Sequence, residues 1–226
     1  MPASSDTPSS RRERPAKPAL TRAGLVAAAV AVMETEGLHK VTMRRIAQEL
    51  DTGPASLYVY VRNAAELHAA VLDELLGRVE PPSEDGTWRE RLEKVLTSYA
   101  HLLLDRPALA RSALVARPSG PHYLDLIEIL LALLAEGGVP DGQAAWGVDV
   151  LLQHATATAA EHAGRTPGAR DREDWHTLET ALRDADPGTR PRTAALSGPL
   201  LAGPPDARLS WAIQALINGI LHTPTP

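Results

Sequence analysis

The chain has 226 residues, 44% hydrophobic, 23% charged and 4% aromatic, with a formal net charge of −5 at pH 7 and no cysteine. The missing cysteines exclude a disulfide framework, thiolate metal sites, iron–sulfur clusters and cysteine nucleophiles. No run approaches the roughly 20 apolar residues of a membrane helix, and the polar, proline-rich opening MPASSDTPSSRRERPAKPAL is not a secretory signal, so a cytoplasmic globular protein with no membrane partner is expected.

Charge is uneven along the chain. Residues 1–62 carry nine Lys/Arg against six Asp/Glu, and the remainder carries fourteen against twenty-two. A basic head on an acidic body suggests a polyanion partner for the head, although ordinary solvated charge gives the same balance.

Residues 1–19 mix Ser, Pro and Arg with almost no apolar residue and read as a disordered basic tail. Its Arg11, Arg12, Arg14 and Lys17 could add phosphate contacts; the plainer use is solubilising. From Leu20-Thr21 onward, Leu25, Ala28, Ala29, Val32 and Met33 recur at helical spacing, and Gly37 is a stop signal. A second apolar set, Val41, Met43, Ile46, Ala47 and Leu50, follows Thr42 as N-cap. Asp51-Thr52-Gly53 breaks it, and Pro54 suits the first turn of a very short helix through Val59. Asn63-Ala64-Ala65-Glu66 reads as a capping-box variant opening a helix through Leu76 and on to about Val79.

The rest is also helical, with no strand-period run bounded by hairpin turns and no internal repeat. Thr87-Trp88-Arg89-Glu90 is a capping box whose helix runs to about Leu104, where Asp105-Arg106-Pro107 interrupts it. A short helix to about Val115, one from Pro121 to Glu136 and a long one from Asp141 to His162 follow. Residues 164–206, rich in Pro and Gly, are expected to be flexible, with one weak helical stretch around Trp175 to Leu182. A last apolar helix spans about Ala207 to Leu221.

Two helices joined by a three-residue, glycine-containing turn, the second very short, describe a helix-turn-helix. Ile46, Ala47, Leu50, Leu57 and Val61 point one way and can hold the pair against the first helix, leaving Arg44, Pro54, Ala55, Ser56, Tyr58 and Tyr60 outward. Exposed tyrosines on so short a helix suit a surface that lies in a major groove and touches phosphates and thymine methyls. The same geometry also occurs inside ordinary helical bundles.

The run VTMRRIAQELDTGPASLYVYVRNAAEL resembles the DNA-binding domain of the tetracycline-repressor (TetR) family, with its pattern of Thr, Arg, Ala and Leu on one helix and Ser-Leu-Tyr on the next. A weaker resemblance continues through ALVARPSGPHYLDLIEILLALLAEGGV and LSWAIQALINGIL. The resemblance implies an all-α fold, a three-helix helix-turn-helix head over residues 20–65 on a helical ligand-binding and dimerisation body over 66–226. It implies that Thr42 caps its helix and bonds a phosphate, Arg44 reaches a base edge, and Pro54, Ala55 and Ser56 meet bases. Tyr58 and Tyr60 would bond phosphates and Arg62 would add charge at the rim. One departure stands out: Ala64 occupies the place where the family commonly has lysine, which should make the salt slope shallower by roughly one unit.

The same resemblance implies that the helices Asp141 to His162 and Ala207 to Leu221 pair with a second copy, although the latter could equally be an intrachain core helix. Placing the body beside the family's namesake suggests an effector pocket lined by Tyr99, Arg117, Pro118, Leu126, Ile129 and Gly147, with Trp146 and His154 nearby. The namesake's magnesium-binding histidines have no counterpart at Ala113 or near Glu80. The eight histidines show no zinc-type spacing, so no metal and no cofactor are expected. The expected protein is a homodimeric regulator, a repressor released from an inverted-repeat DNA operator by an unknown small-molecule effector. A ligand-independent regulator or activator, an all-helical enzyme, and a small-molecule-binding protein without operator function stand as alternatives. Against the enzyme is the absence of a Ser/His/Asp set, a glycine-rich phosphate loop or a paired-metal motif.

Overall fold

The computed structural model describes residues 19–115, 118–162 and 169–226, and these form helices throughout. Thr21 caps α1 (Arg22–Glu36), accepting the Gly24 N–H at 3.0 Å, and Gly37 ends it by donating its N–H to the Met33 carbonyl. A single 3₁₀ turn, Leu38–Lys40, not expected from the sequence, then folds Leu38 into the core. α2 (Met43–Glu49) is capped by Thr42, and α3 (Pro54–Leu57) opens on Pro54. Leu25, Ile46, Leu57 and Leu67 are sealed together beneath these three helices and α4 (Ala64–Leu76).

The body consists of α5 (Trp88–Leu104), α6 (Pro107–Ala113), α7 (Pro121–Glu136), α8 (Asp141–His162) and α11 (Pro205–His222). α5 and α8 form its centre, with α6, α7 and α11 packed around them. α4 packs on α1 at one side and on α6 and α7 at the other, so it is the arm that joins head to body. Leu72 and Leu75 of α4 are fully buried and tie the arm to the continuous apolar core. No helix among the described residues is long and apolar enough to cross a membrane.

The capping box at Thr87 forms as expected: Thr87 accepts the Glu90 N–H while the Glu90 carboxylate accepts the Thr87 N–H. The box expected at Asn63 forms only by half. Asn63 Oδ1 accepts the Glu66 N–H at 2.9 Å, but the Glu66 carboxylate turns instead to the Arg62 backbone N–H and guanidinium. The Arg62 contacts are available to Glu66 because Arg62 stands one residue before the cap, and they hold the Glu66 carboxyl below the usual carboxylate range.

Segment 164–206, expected to be flexible with one weak helical stretch, carries two helices, α9 (Ala169–Arg183) and α10 (Pro191–Leu201), which pack chiefly on each other. Its prolines were misleading because two of them start helices. Pro191 and Pro205 sit in the first turns of α10 and α11, where the missing N–H has no intrahelical partner to lose.

A candidate DNA interface and a cavity in the body

The recognition element is built by an internal anchor. Leu57, fully buried on α3, pins the turn to the core, and Pro54, Ala55 and Ser56 then face solvent along the same turn. Tyr58 is 54% exposed and Val59 80% exposed. Val59, which the inward–outward reading passed over, is the most exposed apolar side chain here and adds a methyl-bearing surface next to Tyr58. Its β-branched side chain two residues beyond the buried Leu57 is the signal that could have found it.

On α2, Thr42 and Arg44 face outward. Arg44 has no ion-pair partner among the described residues. Its neighbour Arg45 is committed to the scaffold: Nε and Nη2 grip Glu36 of α1, and Nη1 reaches Glu49 at 2.8 Å. These two carboxylates raise the Arg45 pKa further. The two adjacent arginines therefore differ: Arg45 clamps α1 to α2, and Arg44 is exposed with no such pairing among the described residues.

Tyr60 departs from the expectation. It is half-buried rather than outward, and its hydroxyl donates to the Leu20 carbonyl at 2.5 Å. The residue continues past the short α3 into a turn, so its ring folds back toward the start of α1 instead of following Tyr58 outward. Arg62 is exposed at the rim, but its guanidinium pairs with Glu66 at 2.9 Å.

Within the body, a partly open cavity of about 70 Å³ is lined by Tyr99, Ala113, Pro118, Tyr123, Asp149 and Thr156. Tyr99 is 3% exposed and burial pushes its phenol up to about 12, with its bond to Thr156 acting in the opposite direction. Thr156 donates its only hydroxyl hydrogen to the Leu152 carbonyl at 2.8 Å. Tyr99 must therefore be the donor in the 2.7 Å bond between the two hydroxyls.

Of the residues expected around a pocket, Tyr99 and Pro118 line this cavity, and Arg117 lies outside the described residues. Leu126 is buried in the core and Ile129 is half-buried on α7; neither borders the cavity. Gly147 and Trp146 line a second, more open cavity of about 460 Å³ between α8 and α11, with Val150, Leu216 and Ile220. A Cβ on Gly147 would meet Ile220 of α11 at 2.9 Å, so this glycine permits α8 and α11 to approach closely. Trp146 is 61% exposed on that side of α8, and α11 exposes Trp211 at 74%. His154 is half-buried on α8, its Nε2 enclosed without a hydrogen-bond partner among the described residues. Asp149, Gln153 and Thr156 were missed, although their i, i+4, i+7 spacing makes a polar stripe on a largely apolar helix.

The cavity adjoins the arm. Pro118 lies just before α7, and the Tyr123 backbone N–H in the first turn of α7 donates to Asp73 Oδ1 of α4 at 2.9 Å. Gly120 accommodates this contact: a Cβ there would stand 2.0 Å from Asp73 Oδ2.

Among family models, residues 25–71 match the bacterial regulatory proteins of the tetR family, and residues 80–223 match the tetracyclin repressor-like C-terminal domain. The chain is 32% identical to the HTH-type transcriptional repressor DrrR1 of Streptomyces coeruleorubidus, over 93% of this chain and 80% of that one. It resembles the crystal structure of the transcription regulator SCO7704 of Streptomyces coelicolor, at 57% identity and TM-score 0.80, covering 93% of this chain and 98% of that chain. It also resembles ActR of Streptomyces coelicolor in complex with actinorhodin, at 34% identity and TM-score 0.78, covering 89% and 95% of the two chains. The helix-turn-helix head, the helical body and both family matches agree: this chain belongs to the TetR family of transcriptional regulators.

Proposed function

We propose that the protein is a homodimeric repressor that leaves an inverted-repeat operator when a small molecule enters the body. In this reading residues 20–65 read DNA, and residues 66–226 bind the effector and dimerise. The observation that carries it is this turn: Leu57 is sealed inside while Pro54, Ala55, Ser56, Tyr58 and Arg44, which has no ion-pair partner among the described residues, are exposed. Arg44 can bond a guanine edge bidentately, Pro54, Ala55 and Ser56 can meet bases, and Thr42 and Tyr58 can bond phosphates. Arg62 stays at the rim as a partly neutralised cation. A DNA partner places the protein in the cytoplasm.

The α8–α11 side supplies the second requirement. Trp146, Val150 and Trp211 are exposed there, and a second copy applied to this face would cover them. A two-fold dimer presents two recognition elements, so the operator is an inverted repeat with half-sites about one helical turn or more apart.

The effector is a small molecule, as actinorhodin is for ActR, and the Tyr99 and Thr156 hydroxyls at the cavity are the polar groups it would meet. At about 70 Å³ the cavity is far below the roughly 300–1,000 Å³ of ordinary ligand sites, so binding requires it to open. Opening displaces the start of α7, to which Asp73 of the arm is bonded, and the arm carries the head. The coupling is limited to the effector's difference in affinity for the two head spacings.

The test is selection of bound fragments from genomic DNA by the purified protein at physiological salt. Enrichment of a few sites sharing one inverted repeat supports the reading; no enrichment from a folded, dimeric sample overturns it. Effector coupling is tested on the enriched site, where a tightly bound compound that leaves operator affinity unchanged overturns release.

A further inference from the structure

The pair of hydroxyls at the body cavity has a fixed direction. A carbonyl oxygen carries no hydrogen, so the 2.8 Å contact between Thr156 Oγ1 and the Leu152 carbonyl uses the threonine's one O–H. Tyr99 in turn gives its one O–H to Thr156 Oγ1 at 2.7 Å. Both hydrogens are thus committed to the chain Tyr99, Thr156, Leu152, and both hydroxyl oxygens keep acceptor capacity.

Burial holds that direction in place. Tyr99 and Thr156 are 3% and 7% exposed, and Leu152 beside them is buried as well. Turning either hydrogen toward a newcomer breaks a bond already made, and a buried polar group left without its partner costs its full desolvation. Burial also keeps the Tyr99 phenol protonated, pushed up to about 12, so its hydrogen stays in the bond throughout the neutral range. Asp149 and Gln153 line the same cavity but are exposed. The two hydroxyls therefore form the inner polar wall, with the carboxylate and the amide nearer the mouth.

We propose that the effector is recognised at this inner wall by a hydrogen that it supplies itself. The favoured class is a compound that directs an O–H or N–H at Tyr99 and Thr156, over one that presents only ether, carbonyl or carboxylate oxygens there. The proposal rests on the effector reading above and narrows the class of compound. A donor entering the cavity replaces its lost water bond with one to the protein. An acceptor set against these two oxygens meets lone pairs with its own lone pairs and is desolvated without a partner.

The experiment uses phenol, aniline, anisole and benzoate, single rings that ask the least opening of the cavity. Binding to the whole protein is followed through the methyl resonances of Ala113 and Leu152, which line it. Anisole has more apolar surface than phenol, so burial alone would rank it first. The expected order is the reverse: phenol or aniline binds about threefold or more tighter than anisole, the worth of one hydrogen bond, and benzoate is weakest. Thr156→Val keeps the shape and frees the Tyr99 hydrogen, so anisole should gain about threefold on phenol. Thr156→Ser keeps the hydroxyl and should keep the parental order. Anisole or benzoate level with or above both donors in the parent overturns the proposal and leaves a small-molecule site standing. An unchanged order in a folded Thr156→Val overturns it too; if that variant does not fold, the parental order decides alone. Resonances unmoved by all four probes overturn the cavity as the effector site, and the proposal with it.

Discussion

Asp73 on α4 accepts the backbone N–H of Tyr123 in the first turn of α7, 2.9 Å away, although 50 residues separate the two in the chain. Asp73 is 7% exposed, and His122 Nδ1 stands 3.5 Å from its other oxygen. A carboxylate at a helix N-terminus meets an N–H that has no partner within its own helix. Here the acceptor comes from the arm that carries the head, so the cap of one helix is also the joint between two parts of the molecule.

Asp73→Ala should therefore destabilise the protein by about 1–3 kcal/mol, because it leaves a buried N–H without an acceptor. Asp73→Asn, which keeps an acceptor oxygen, should lose less. Calorimetric melting measures both. In the same variants an effector should still bind, but operator affinity should fall less on its addition than in the parent. An unchanged effector response in a measurably destabilised Asp73→Ala would show that the arm is driven through another contact.

Tyr99 gives a pH-dependent prediction. Burial pushes its phenol up to about 12, whereas an unfolded tyrosine ionises near 10. The folded state therefore keeps the proton over a range in which the unfolded state has released it. The stabilisation from the neutral, buried phenol is whole below about pH 10 and is lost as pH rises toward 12, with a full span of about 2–3 kcal/mol. Denaturant midpoints measured from pH 8 to 11.5 should fall more steeply in the parent than in Tyr99→Phe. Parallel curves for the two proteins would mean that the phenol is solvated in solution.

Most of the fold was legible because its signals were local. Thr21, Thr42 and Thr87 stand before apolar runs of helical period, and each caps the helix expected of it. The limits of α7 were read to the residue from Pro121 and Gly137, and α8 begins at the Asp141 that marked its start. α9 was expected only around Trp175 to Leu182, and α10 was missed because it has no buried residue, so no core-facing stripe marks it. Exposure was legible where one helix turn decides it, as at Pro54 to Tyr58, and not where a distant partner does. Tyr60 turns inward because Leu20 offers a carbonyl 40 residues away, and Gly147 lies against Ile220 of α11, some 70 residues on in the chain. Neither relationship has a signature at short range.

The recognition face makes a prediction in both directions. Arg44→Ala should cost about 1–3 kcal/mol of operator binding and relax the preference at one base pair, if its fork reads a guanine. Tyr58→Phe should weaken binding evenly across sequences. Ala64→Lys should do the reverse, tightening binding and steepening the salt slope by about 0.9 per added phosphate contact. The added cation would stand at the first residue of α4, next to the Arg62–Glu66 pair, and Glu66 can share it; a gain smaller than one contact per subunit would report that sharing. Fluorescence anisotropy on a matched set of operator variants separates the even losses from the base-specific ones.

The exposed tryptophans of α8 and α11 test the proposed dimer. Trp146 and Trp211 are large apolar side chains exposed at 61% and 74% on the two helices that Gly147 allows to pack closely. Gln143 holds the far end of that pair by donating its side-chain amide to the Ile220 carbonyl at 2.6 Å, so the two helices form one rigid surface. A tryptophan buries about 150–250 Å² when covered, and a carboxylate in its place would have to be desolvated without a partner. Trp146→Glu with Trp211→Glu should therefore yield a monomer by sedimentation, with the helical content retained because neither side chain is part of the intrachain core. Operator binding should fall by orders of magnitude, since one head alone can hold only one half-site. A double variant that still sediments as a dimer would place the subunit contact away from the α8–α11 surface.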